Sequence, residues 1–580
     1  MTDVNAVRER LEGLRGHMND AGLYAYYIPT TDAGSSEREF FSGFTGSAGD
    51  LLITPEEALL WTDGRYFIQA ERELEGTGII LMRSGEEGVE TLEEYIKRSF
   101  PEEAVLGFYG RDVKAVRAKK LKKALPSHKV CYKKDLSAGI YQRPLLPLQD
   151  TEVIGGDLSG ESSVDRIAKL RSELASRGLD AVFITDPTET AYLFNIRAWE
   201  NAYTPAVMSY AYITSQKAYI FLKNEKADTG YAGSIVKSVD EICDFLGSSA
   251  VKGRILVDEA SADYWCYKLI KKRGKAVSGI SPVQLMKAVK NETELSHIRD
   301  IYHRDSLQLT RFIRWMDTDG SSKSEMSAAD KLLDFRKSIP EFKGLSFPTI
   351  AAYGDNAAII HYEPSAEHDR PVEARGLFMV DSGGQYKGGT TDVTRTLVMG
   401  ELTEEEKEAF TLTACGMLRI RYAHFIKGTT GVNLDMLARE RMWKRGIDYK
   451  HGTGHGLGYM LGVHEGPQSI RWKYLDTPCE LKPGMLISDE PGVYKKDRFG
   501  VRTENILLVE EDVKTEDGVF YRFANLTQVP IDDRGMDKSM MSSEELEMYE
   551  RYQQEIIEAL SPDMDEEEKK WLREYCGVRG

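Results

Sequence analysis

A helix-then-strand pattern occurs twice in the first 190 residues. "RLEGLRGHMNDAGLYAYYI" begins at Arg10, and "RIAKLRSELASRGLDAVFI" begins at Arg166. At a constant offset of 156 positions, seven residues of the first copy recur without a gap: Arg10, Leu14, Arg15, Gly22, Leu23, Ala25 and Ile28. Each copy reads as an amphipathic helix, a glycine after the helix end and then an apolar strand. The repeat favours two similar α/β domains over the alternative, two unrelated units that share ordinary helix-ending residues.

The chain of 580 residues is also longer than one hydrophobic core usually organises. A stretch rich in Pro, Gly and Ser, residues 143–163, is typical of a linker. Near Asn291, "NETE" offers a helix N-cap followed three positions later by glutamate, which predicts a long helix through Met316. We therefore predict an α/β (α+β) protein with an N-terminal α/β domain at 1–155, a related middle domain at 156–288 and a third domain at 289–580.

The overall composition of the chain argues against several kinds of binding partner and site. The net charge of −17 disfavours a nucleic-acid partner, because phosphate binding needs clustered Lys and Arg. The six cysteines form no CxxC pair, so neither a disulfide scaffold nor a thiolate zinc site is expected. No stretch approaches 18 uninterrupted apolar residues, and the first residues lack the apolar core of a signal peptide. We expect no membrane association and a cytoplasmic location.

Two acids of the third domain flank a glycine-rich connection between apolar runs. In "GLFMVDSGGQYKGGTTDVTRTLVMG", Asp381 and Asp392 lie between the strand-like runs Leu377–Val380 and Val393–Met399. If these runs pair, the acids come close together, and two adjacent carboxylates repel each other unless a cation or a shared proton compensates. The alternative is that both are solvated turn residues, a common role of aspartate.

Two more acids lie at strand-like positions further along. "GMLISDEPGVY" ends an apolar run at Asp489 and Glu490, and "GVRTENILLVE" alternates so that Arg502, Glu504 and Ile506 share one face. Arg502 and Glu504 predict either a salt-bridged edge or the wall of a site. Together with one imidazole from the histidine-rich stretch at 451–467, the carboxylates of Asp381, Asp392, Glu490 and Glu504 would form a set of five ligands. Such a set suits Mn²⁺, Co²⁺ or Fe²⁺ at least as well as Zn²⁺, and five ligands suit two ions that share carboxylates. No HExxH helix is present, which excludes the common mononuclear zinc-protease arrangement.

The stretch "HGTGHGLGYMLGVHEGP", residues 451–467, holds three of the ten histidines among many glycines. In order along the chain, "DSGGQYKGGTTDVTRT", "HGTGHGLG", "VHEGP", "DEPGVY" and "VRTEN" resemble the metallopeptidases with a pita-bread catalytic domain. "GLSFPTIAAYGDNAAIIHYEP", "FANLTQVPID" and the N-terminal "FTGSAGDLLITPEEALLWTDGRYFIQAE" resemble the three-domain type of aminopeptidase P (Xaa-Pro aminopeptidase). The resemblance covers nearly the whole chain and implies a pita-bread fold for residues 289–580.

The resemblance implies a set of metal ligands by position: Asp381, Asp392, His455, Glu490 and Glu504. All five residue types are intact in this sequence. They would hold two divalent ions per chain, of which Mn²⁺ is the first expectation and Co²⁺, Fe²⁺ or Zn²⁺ are alternatives.

The resemblance also implies roles around the ligands. His361 matches a proton-shuttle histidine, and His464 matches one that contacts the scissile peptide. His451 matches a residue of the pocket for the proline that follows the cleaved bond, and Tyr494 and Arg502 match nearby pocket residues. The alternative for His451 is a packing histidine without contact to substrate.

The implied activity is hydrolysis of the first peptide bond of peptides that carry proline at the second position. A hydroxide activated by two metal ions would attack, Glu490 would accept the proton of the water, and His464 would donate to the carbonyl oxygen. Arg65 matches an arginine implicated in peptide binding, including across a homodimer, although an ordinary salt bridge is an equal alternative. Two other functions stay open: a prolidase-like X-Pro dipeptidase, and a non-catalytic pita-bread module that binds peptides.

Overall fold

The computed structural model describes residues 3–30, 36–145, 148–319, 322–474 and 478–578. The chain divides into two compact units. Unit 1 comprises Met1–Asp150, Ser163–Phe194 and Val207–Pro282, and unit 2 comprises Thr151–Ser162, Asn195–Ala206 and Val283–Gly580. Within the described residues, no helix combines the length and the hydrophobicity that a membrane span requires.

The helices, in chain order, are α1 (Val4–Asp20), α2 (Ser36–Ser42), α3 (Phe67–Glu73), α4 (Leu92–Ser99), α5 (Ala115–Ala124), α6 (Gly156–Ser159), α7 (Ser163–Ser176), α8 (Pro187–Leu193), α9 (Ile242–Gly247), α10 (Tyr264–Arg273), α11 (Pro282–Ala288), α12 (Glu292–Thr318), α13 (Glu325–Lys337), α14 (Glu404–Arg421), α15 (Gly431–Trp443), α16 (Ser543–Leu560) and α17 (Glu566–Tyr575).

The strands, in chain order, are β1 (Ala25–Ile28), β2 (Asp50–Ile53), β3 (Ala58–Thr62), β4 (Ile80–Arg83), β5 (Val105–Gly107), β6 (Lys129–Cys131), β7 (Glu152–Val153), β8 (Ala181–Ile184), β9 (Ile196–Arg197), β10 (Ser209–Thr214), β11 (Ala218–Leu222), β12 (Ser234–Ser238), β13 (Arg254–Val257), β14 (Lys275–Ser278), β15 (Phe342–Leu345), β16 (Ile350–Tyr353), β17 (Leu377–Ser382), β18 (Gly384–Tyr386), β19 (Gly389–Thr390), β20 (Val393–Val398), β21 (His424–Ile426), β22 (Gly454–His455), β23 (Ser469–Ile470), β24 (Leu486–Asp489), β25 (Gly492–Lys495), β26 (Phe499–Arg502), β27 (Asn505–Thr515) and β28 (Gly518–Asn525).

Unit 1 contains two six-stranded sheets of the same topology. Their strand orders are β4-β3-β2-β1-β5-β6 and β12-β11-β10-β8-β13-β14. In each sheet the strand that follows the repeated helix is central: β1 pairs antiparallel with β2 and parallel with β5, and β8 does the same with β10 and β13. The prediction of two related α/β domains is confirmed.

The repeated residues have matching structural roles. Gly22 and Gly178 both have positive φ, 65° and 61°, which a residue with a side chain adopts only at a cost, and each lets the chain turn from its helix into the central strand. Arg15 and Arg171 each donate from Nε to the backbone carbonyl of a threonine at the end of β2 or β10, at 2.9 Å. The repeat was visible in sequence because these positions fix the helix on its sheet.

Unit 2 is built on short antiparallel sheets covered by long helices. α12 begins with the predicted capping box, in which the Asn291 side chain accepts from Glu294 N at 3.0 Å and Glu294 Oε2 accepts from Asn291 N at 3.1 Å. The largest core of this unit includes Phe312 of α12, Phe378 of β17 and Leu412 of α14. This core supports the strands β17 and β20 from which the site is built.

One predicted strand is two strands in the structure. β26 ends at Arg502 and β27 begins at Asn505, so the run from Arg502 to Ile506 is interrupted at Thr503 and Glu504. β26 pairs with β25, whereas β27 pairs with β24 and β28, because the chain changes sheets at this point. The carbonyl of a β20 residue, Thr394, accepts from Glu504 N at 3.0 Å at the change of sheet.

Two short segments from the first half of the chain belong to unit 2. β7 and β9 pair antiparallel within it. Glu152 of β7 forms an ion pair with Lys387 at 2.5 Å, and Arg197 of β9 donates to the carbonyls of Tyr459 and Met460. Unit 2 is therefore not continuous in sequence, whereas the three-domain division at residues 155 and 288 is a linear one and stays a prediction.

Candidate metal centre

The hairpin of β17 and β20 brings the first two acids together. The strands pair antiparallel, with Asp381 opposite Thr394, and Asp392 directly precedes β20. Both aspartates are buried. Asp381 Oδ2 accepts from Arg502 Nη2 at 2.5 Å, and Asp381 Oδ1 is buried without a hydrogen-bond partner in the described part of the chain. A buried carboxylate oxygen without a partner is expected where a cation completes the site.

His455 extends this acidic pair into a cluster. Its Nε2 atom lies 3.5 Å from Asp392 Oδ2 and 3.4 Å from Glu490 Oε1. Its Nδ1 atom lies 3.0 Å from the carbonyl oxygen of Gly456, an acceptor that holds the proton on Nδ1 and leaves Nε2 as the free lone pair. One ligand atom each from Asp392, His455 and Glu504 lies within 4.8 Å of the others, which is the spacing of a metal site.

Hydrogen bonds from two hydroxyl residues orient the ligand side chains. Thr394 Oγ1 donates to Glu504 Oε2 at 2.8 Å and accepts from Arg502 Nε at 3.2 Å. Ser488 Oγ accepts from the backbone N–H of His455 at 2.8 Å and donates to Glu490 Oε1 at 3.2 Å. Such outer contacts fix the rotamers of metal ligands. Neither hydroxyl residue is part of the predicted site.

The electrostatics of the cluster favour a bound cation. Burial, and after it the charges of Asp381 and Glu490, raises the pKa of Asp392. Burial, and after it the charges of Asp392 and Glu490, raises the pKa of Glu504. Burial also raises the pKa of Glu490, against the opposing charges of His455 and Arg502. Carboxylates that destabilise one another in this way gain most from divalent cations, so the donor set fits them.

Glycines allow the strands to approach closely here. A side-chain carbon at Gly454 would overlap the carbonyl oxygen of Ser488, and one at Gly456 would overlap that of Glu465. The backbone around His455 can therefore touch β24 and the 463–467 loop only without side chains. This explains the glycines of the histidine-rich stretch.

A second polar group adjoins the ligands. Tyr494 Oη accepts from Arg502 Nη1 at 2.8 Å and lies 2.9 Å from His451 Nε2. His451 Nδ1 lies 2.7 Å from the carbonyl oxygen of Gly452, so the imidazole donates there and accepts at Nε2 from the tyrosine. Burial, and after it the charge of Arg502, lowers the pKa of His451 well below its usual range, which agrees with a neutral ring. The three side chains form one connected wall.

The two remaining histidines lie at the edge of this group. The His464 ring is exposed, and its centroid is 4.2 Å from that of His455. His361 is half-buried, and its charge contributes to the lowered pKa of His451, so the two rings are close in space. Both histidines are therefore next to the cluster.

A buried ion-pair network supports the loop that carries His464. Glu465 accepts from Lys287 Nζ at 3.0 Å and from Lys290 Nζ at 2.7 Å, and all three residues are buried. Nothing in the local sequence indicates this pairing, because the partners are separated by 175 and 178 positions.

Arg65 belongs to unit 1, whereas the other ten predicted site residues belong to unit 2. Its guanidinium forms a two-point ion pair with Asp63, with Nε 2.8 Å from Oδ1 and Nη2 2.7 Å from Oδ2. The pairing is the salt-bridge geometry that the sequence analysis held as an equal alternative to peptide binding.

Residues 296–511 match the family model described as metallopeptidase family M24, and residues 519–578 match the C-terminal region of peptidase_M24. Residues 10–137 and 142–294 each match the creatinase/prolidase N-terminal domain. A probable Xaa-Pro aminopeptidase P from Metarhizium acridum is 35% identical over an alignment of 590 positions, gaps included. The alignment covers 94% of this chain and 95% of that protein. The chain belongs to the Xaa-Pro aminopeptidase family of M24 metallopeptidases.

Solved structures show how far the fold is shared within and beyond the family. The X-prolyl aminopeptidase of Caenorhabditis elegans, described as a cytosolic enzyme with a di-nuclear active site, has a TM-score of 0.93 and 30% identity, with 98% of this chain and 99% of that chain covered. The Xaa-Pro dipeptidase of Bacillus anthracis has a TM-score of 0.51 and 22% identity, with 64% of this chain and 99% of that chain covered. The second likeness concerns the fold alone. Family membership confirms the resemblance that the motifs indicate.

Proposed function

We propose that this chain is an Xaa-Pro aminopeptidase, a metallopeptidase that removes the first residue from peptides with proline in second position. The observation that carries the proposal is the close approach of ligand atoms from Asp392, His455 and Glu504, within 4.8 Å of one another. Glu490 Oε1 lies 3.4 Å from His455 Nε2, and Asp381 is joined to the group through Arg502 and Thr394. The C. elegans relative of the same length and fold, an X-prolyl aminopeptidase with a di-nuclear site, supports it.

These five residues would hold two divalent metal ions, with Mn²⁺ as the proposed metal. This donor set is rich in oxygen and has a single imidazole, which suits Mn²⁺. Structural zinc sites typically use sulfur and nitrogen ligands instead. When bound, the ions supply Lewis-acid charge that lowers the pKa of a water molecule and polarises the scissile carbonyl.

The protein's own groups would handle the protons. Glu490, oriented by Ser488, would accept the proton of the attacking water as a general base. His464, exposed beside His455, would donate to the carbonyl oxygen as it gains negative charge. His361 would carry a proton to or from the departing amine.

The wall of His451, Tyr494 and Arg502 would recognise the proline. A proline ring offers no N–H and has a fixed φ, so a rigid site can select it by shape. The wall is rigid because Tyr494 is hydrogen-bonded on both sides, to His451 and to Arg502. Differential binding of the proline ring in the transition state would then set the specificity.

We also propose a three-domain, cytoplasmic homodimer. We place the boundaries at 1–155, 156–288 and 289–580; three successive family matches, at residues 10–137, 142–294 and 296–511, support three domains in this order. The description of the C. elegans relative as cytosolic supports the location. An exposed edge-to-face pair of Trp443 and Trp472, with ring centroids 6.2 Å apart, supports a dimer, because large exposed aromatics are enriched at interfaces. Arg65 would contact the peptide backbone in the assembled enzyme.

Three peptides test the function against its alternatives. We expect Mn²⁺-loaded enzyme to cleave Arg-Pro-Pro efficiently and Arg-Ala-Pro at least 100-fold more slowly, with Arg-Pro below the tripeptide in kcat/KM. Preference for the dipeptide Arg-Pro would indicate a prolidase instead. Equal rates for the proline and alanine tripeptides would remove the pocket role of His451, Tyr494 and Arg502. If none of the peptides is hydrolysed and elemental analysis finds no bound metal, the remaining alternative is a non-catalytic module that binds peptides.

A further inference from the structure

Two cysteines meet in unit 1 although they are 23 positions apart in sequence. Cys243 of α9 is half-buried, and Cys266 of α10 is fully buried. Cys266 belongs to a buried core of unit 1, and Cys243 packs against that core. The two cysteines are thus neighbours in the core, and Cys243 is the more exposed residue of the pair.

An arginine fixes the outer sulfur. Arg111 Nη1 donates to Cys243 Sγ at 3.2 Å, and Nη2 donates to the hydroxyl of Tyr210 at 2.9 Å. Arg111 Nε lies 3.7 Å from Asp263 Oδ1, which also accepts from the backbone N–H of Cys266 at 2.8 Å. Tyr210 and Asp263 hold the guanidinium in place, and it points one donor at the sulfur, the surroundings of a stabilised thiolate.

The two sulfurs consequently differ in acidity. The hydrogen bond from Cys266 and, after the opposing effect of burial, the charge of Arg111 lower the pKa of Cys243 to about 6. Burial, and after it the hydrogen bond to Cys243, raises the pKa of Cys266 well above its usual range. At neutral pH the pair therefore holds one thiolate and one thiol.

The site is assembled from both repeats of unit 1. Arg111 belongs to the first repeat, and the cysteines belong to the second. The backbone N–H of Trp265 donates to Gly110 O at 3.0 Å, and that of Tyr264 donates to Val113 O at 2.8 Å. These bonds on both sides of Arg111 fix its position relative to α10, so the thiolate partner is part of the folded framework.

We propose that Cys243 and Cys266 form a redox site that a hydroperoxide converts to a disulfide. The Cys243 thiolate attacks the outer oxygen of the hydroperoxide; an S–O bond forms, the O–O bond breaks, and the alkoxide or hydroxide leaves and takes a proton from solvent. Cys266 then attacks the sulfur of the resulting sulfenic acid; the S–S bond forms, the S–O bond breaks, and the hydroxide leaves as water with the proton that Cys266 loses. Two thiols are oxidised by two electrons and one hydroperoxide is reduced.

The first test uses the full-length, metal-loaded enzyme and hydrogen peroxide. We expect a Cys243–Cys266 disulfide in peptide maps, with loss of two hydrogens and recovery of both thiols after dithiothreitol. Cys479 is the internal control: it is also half-buried, but burial raises its pKa, and it should remain reduced under the same treatment. Oxidation of Cys243 no faster than Cys479, or conversion of Cys243 to sulfinic acid while Cys266 stays reduced, would overturn the proposal.

Variants separate the two roles. Cys266→Ser should stop the reaction at the sulfenic acid, which dimedone traps at Cys243. In the wild-type protein, the rate of Cys243 alkylation by iodoacetamide should rise with pH, with a midpoint near pH 6. Arg111→Met should shift that midpoint upward by at least one pH unit, and Arg111→Lys should shift it by less. Hydrolysis of Arg-Pro-Pro and the thermal midpoint check that each variant is folded. If Arg111→Met does not fold, the wild-type midpoint decides: a midpoint above about pH 8, that of an ordinary thiol, would refute the proposal.

Discussion

Replacing Asp392 by asparagine should change the metal-free and the metal-bound protein in opposite directions. Asp392 is buried, and burial together with the charges of Asp381 and Glu490 raises its pKa. An amide of nearly the same size carries no charge at any pH, so it adds no repulsion to this group. The metal-free variant should therefore unfold at the same temperature as metal-free wild type or at a higher one. The metal-bound variant should lose stability, because it loses a charged ligand.

The size of the metal effect follows from mass action. A metal at about 1,000 times its Kd stabilises the folded protein by about 4 kcal/mol. If loss of the carboxylate raises the Kd about 1,000-fold, the same metal concentration equals the new Kd and stabilises by only about 0.4 kcal/mol. For a large domain, 1 kcal/mol corresponds to roughly 2 °C in Tm. The metal-dependent rise in Tm should thus fall from about 8 °C to about 1 °C.

The assay is calorimetry of each protein in EDTA and in excess Mn²⁺, together with metal content and turnover of Arg-Pro-Pro. Asp489→Asn is the matched control. Asp489 is equally buried and next to Glu490, yet it is not one of the five proposed ligands. We expect this variant to keep two metals and the wild-type rise in Tm. A wild-type rise and wild-type turnover in Asp392→Asn would refute the assignment, as would equal metal loss in both variants.

Two further substitutions address the residues around the ligands. His361→Ala should lower kcat by about 100-fold, the usual size of a proton-transfer contribution, while metal analysis still finds two ions; loss of metal would instead make His361 a ligand. Tyr494→Phe removes the hydroxyl shared by His451 and Arg502, which should cost about 1–3 kcal/mol, or roughly 5- to 150-fold in kcat/KM for Arg-Pro-Pro, with a smaller loss for Arg-Ala-Pro. An equal loss for both peptides would show that the hydroxyl does not act in proline recognition.

Features that depend on neighbouring residues could be predicted from the sequence. The capping box at Asn291 was evident because its two partners are three positions apart. Asp381 and Asp392 were expected to be close because a short glycine-rich connection joins their strands, and β17 and β20 do pair. The alternation of side chains along a strand would also have revealed Thr394 and Ser488, which lie two positions from Asp392 and Glu490 on the same side.

Contacts between distant parts of the chain could not be predicted in this way. Glu465 finds Lys287 and Lys290 only through the tertiary fold, since a charged residue carries no local indication of its partner. The approach of Cys243 to Cys266 depends on the packing of α9 against α10, and the cysteine spacing alone indicated no pair. The interruption between β26 and β27 could not be predicted either. The alternation of side chains continues across Thr503, although the strands that pair with the chain change there.

The discontinuous course of the chain limits how the peptidase unit can be exchanged between genes. The chain passes from one unit to the other five times, at residues 150, 162, 194, 206 and 282. A gene fragment starting at residue 289 would encode Lys387 without its partner Glu152, and the carbonyls of Tyr459 and Met460 without Arg197. Recombination at the apparent linear boundary would therefore transfer an incomplete module. Any shuffling event that preserves the fold must carry the two short upstream segments together with the catalytic half.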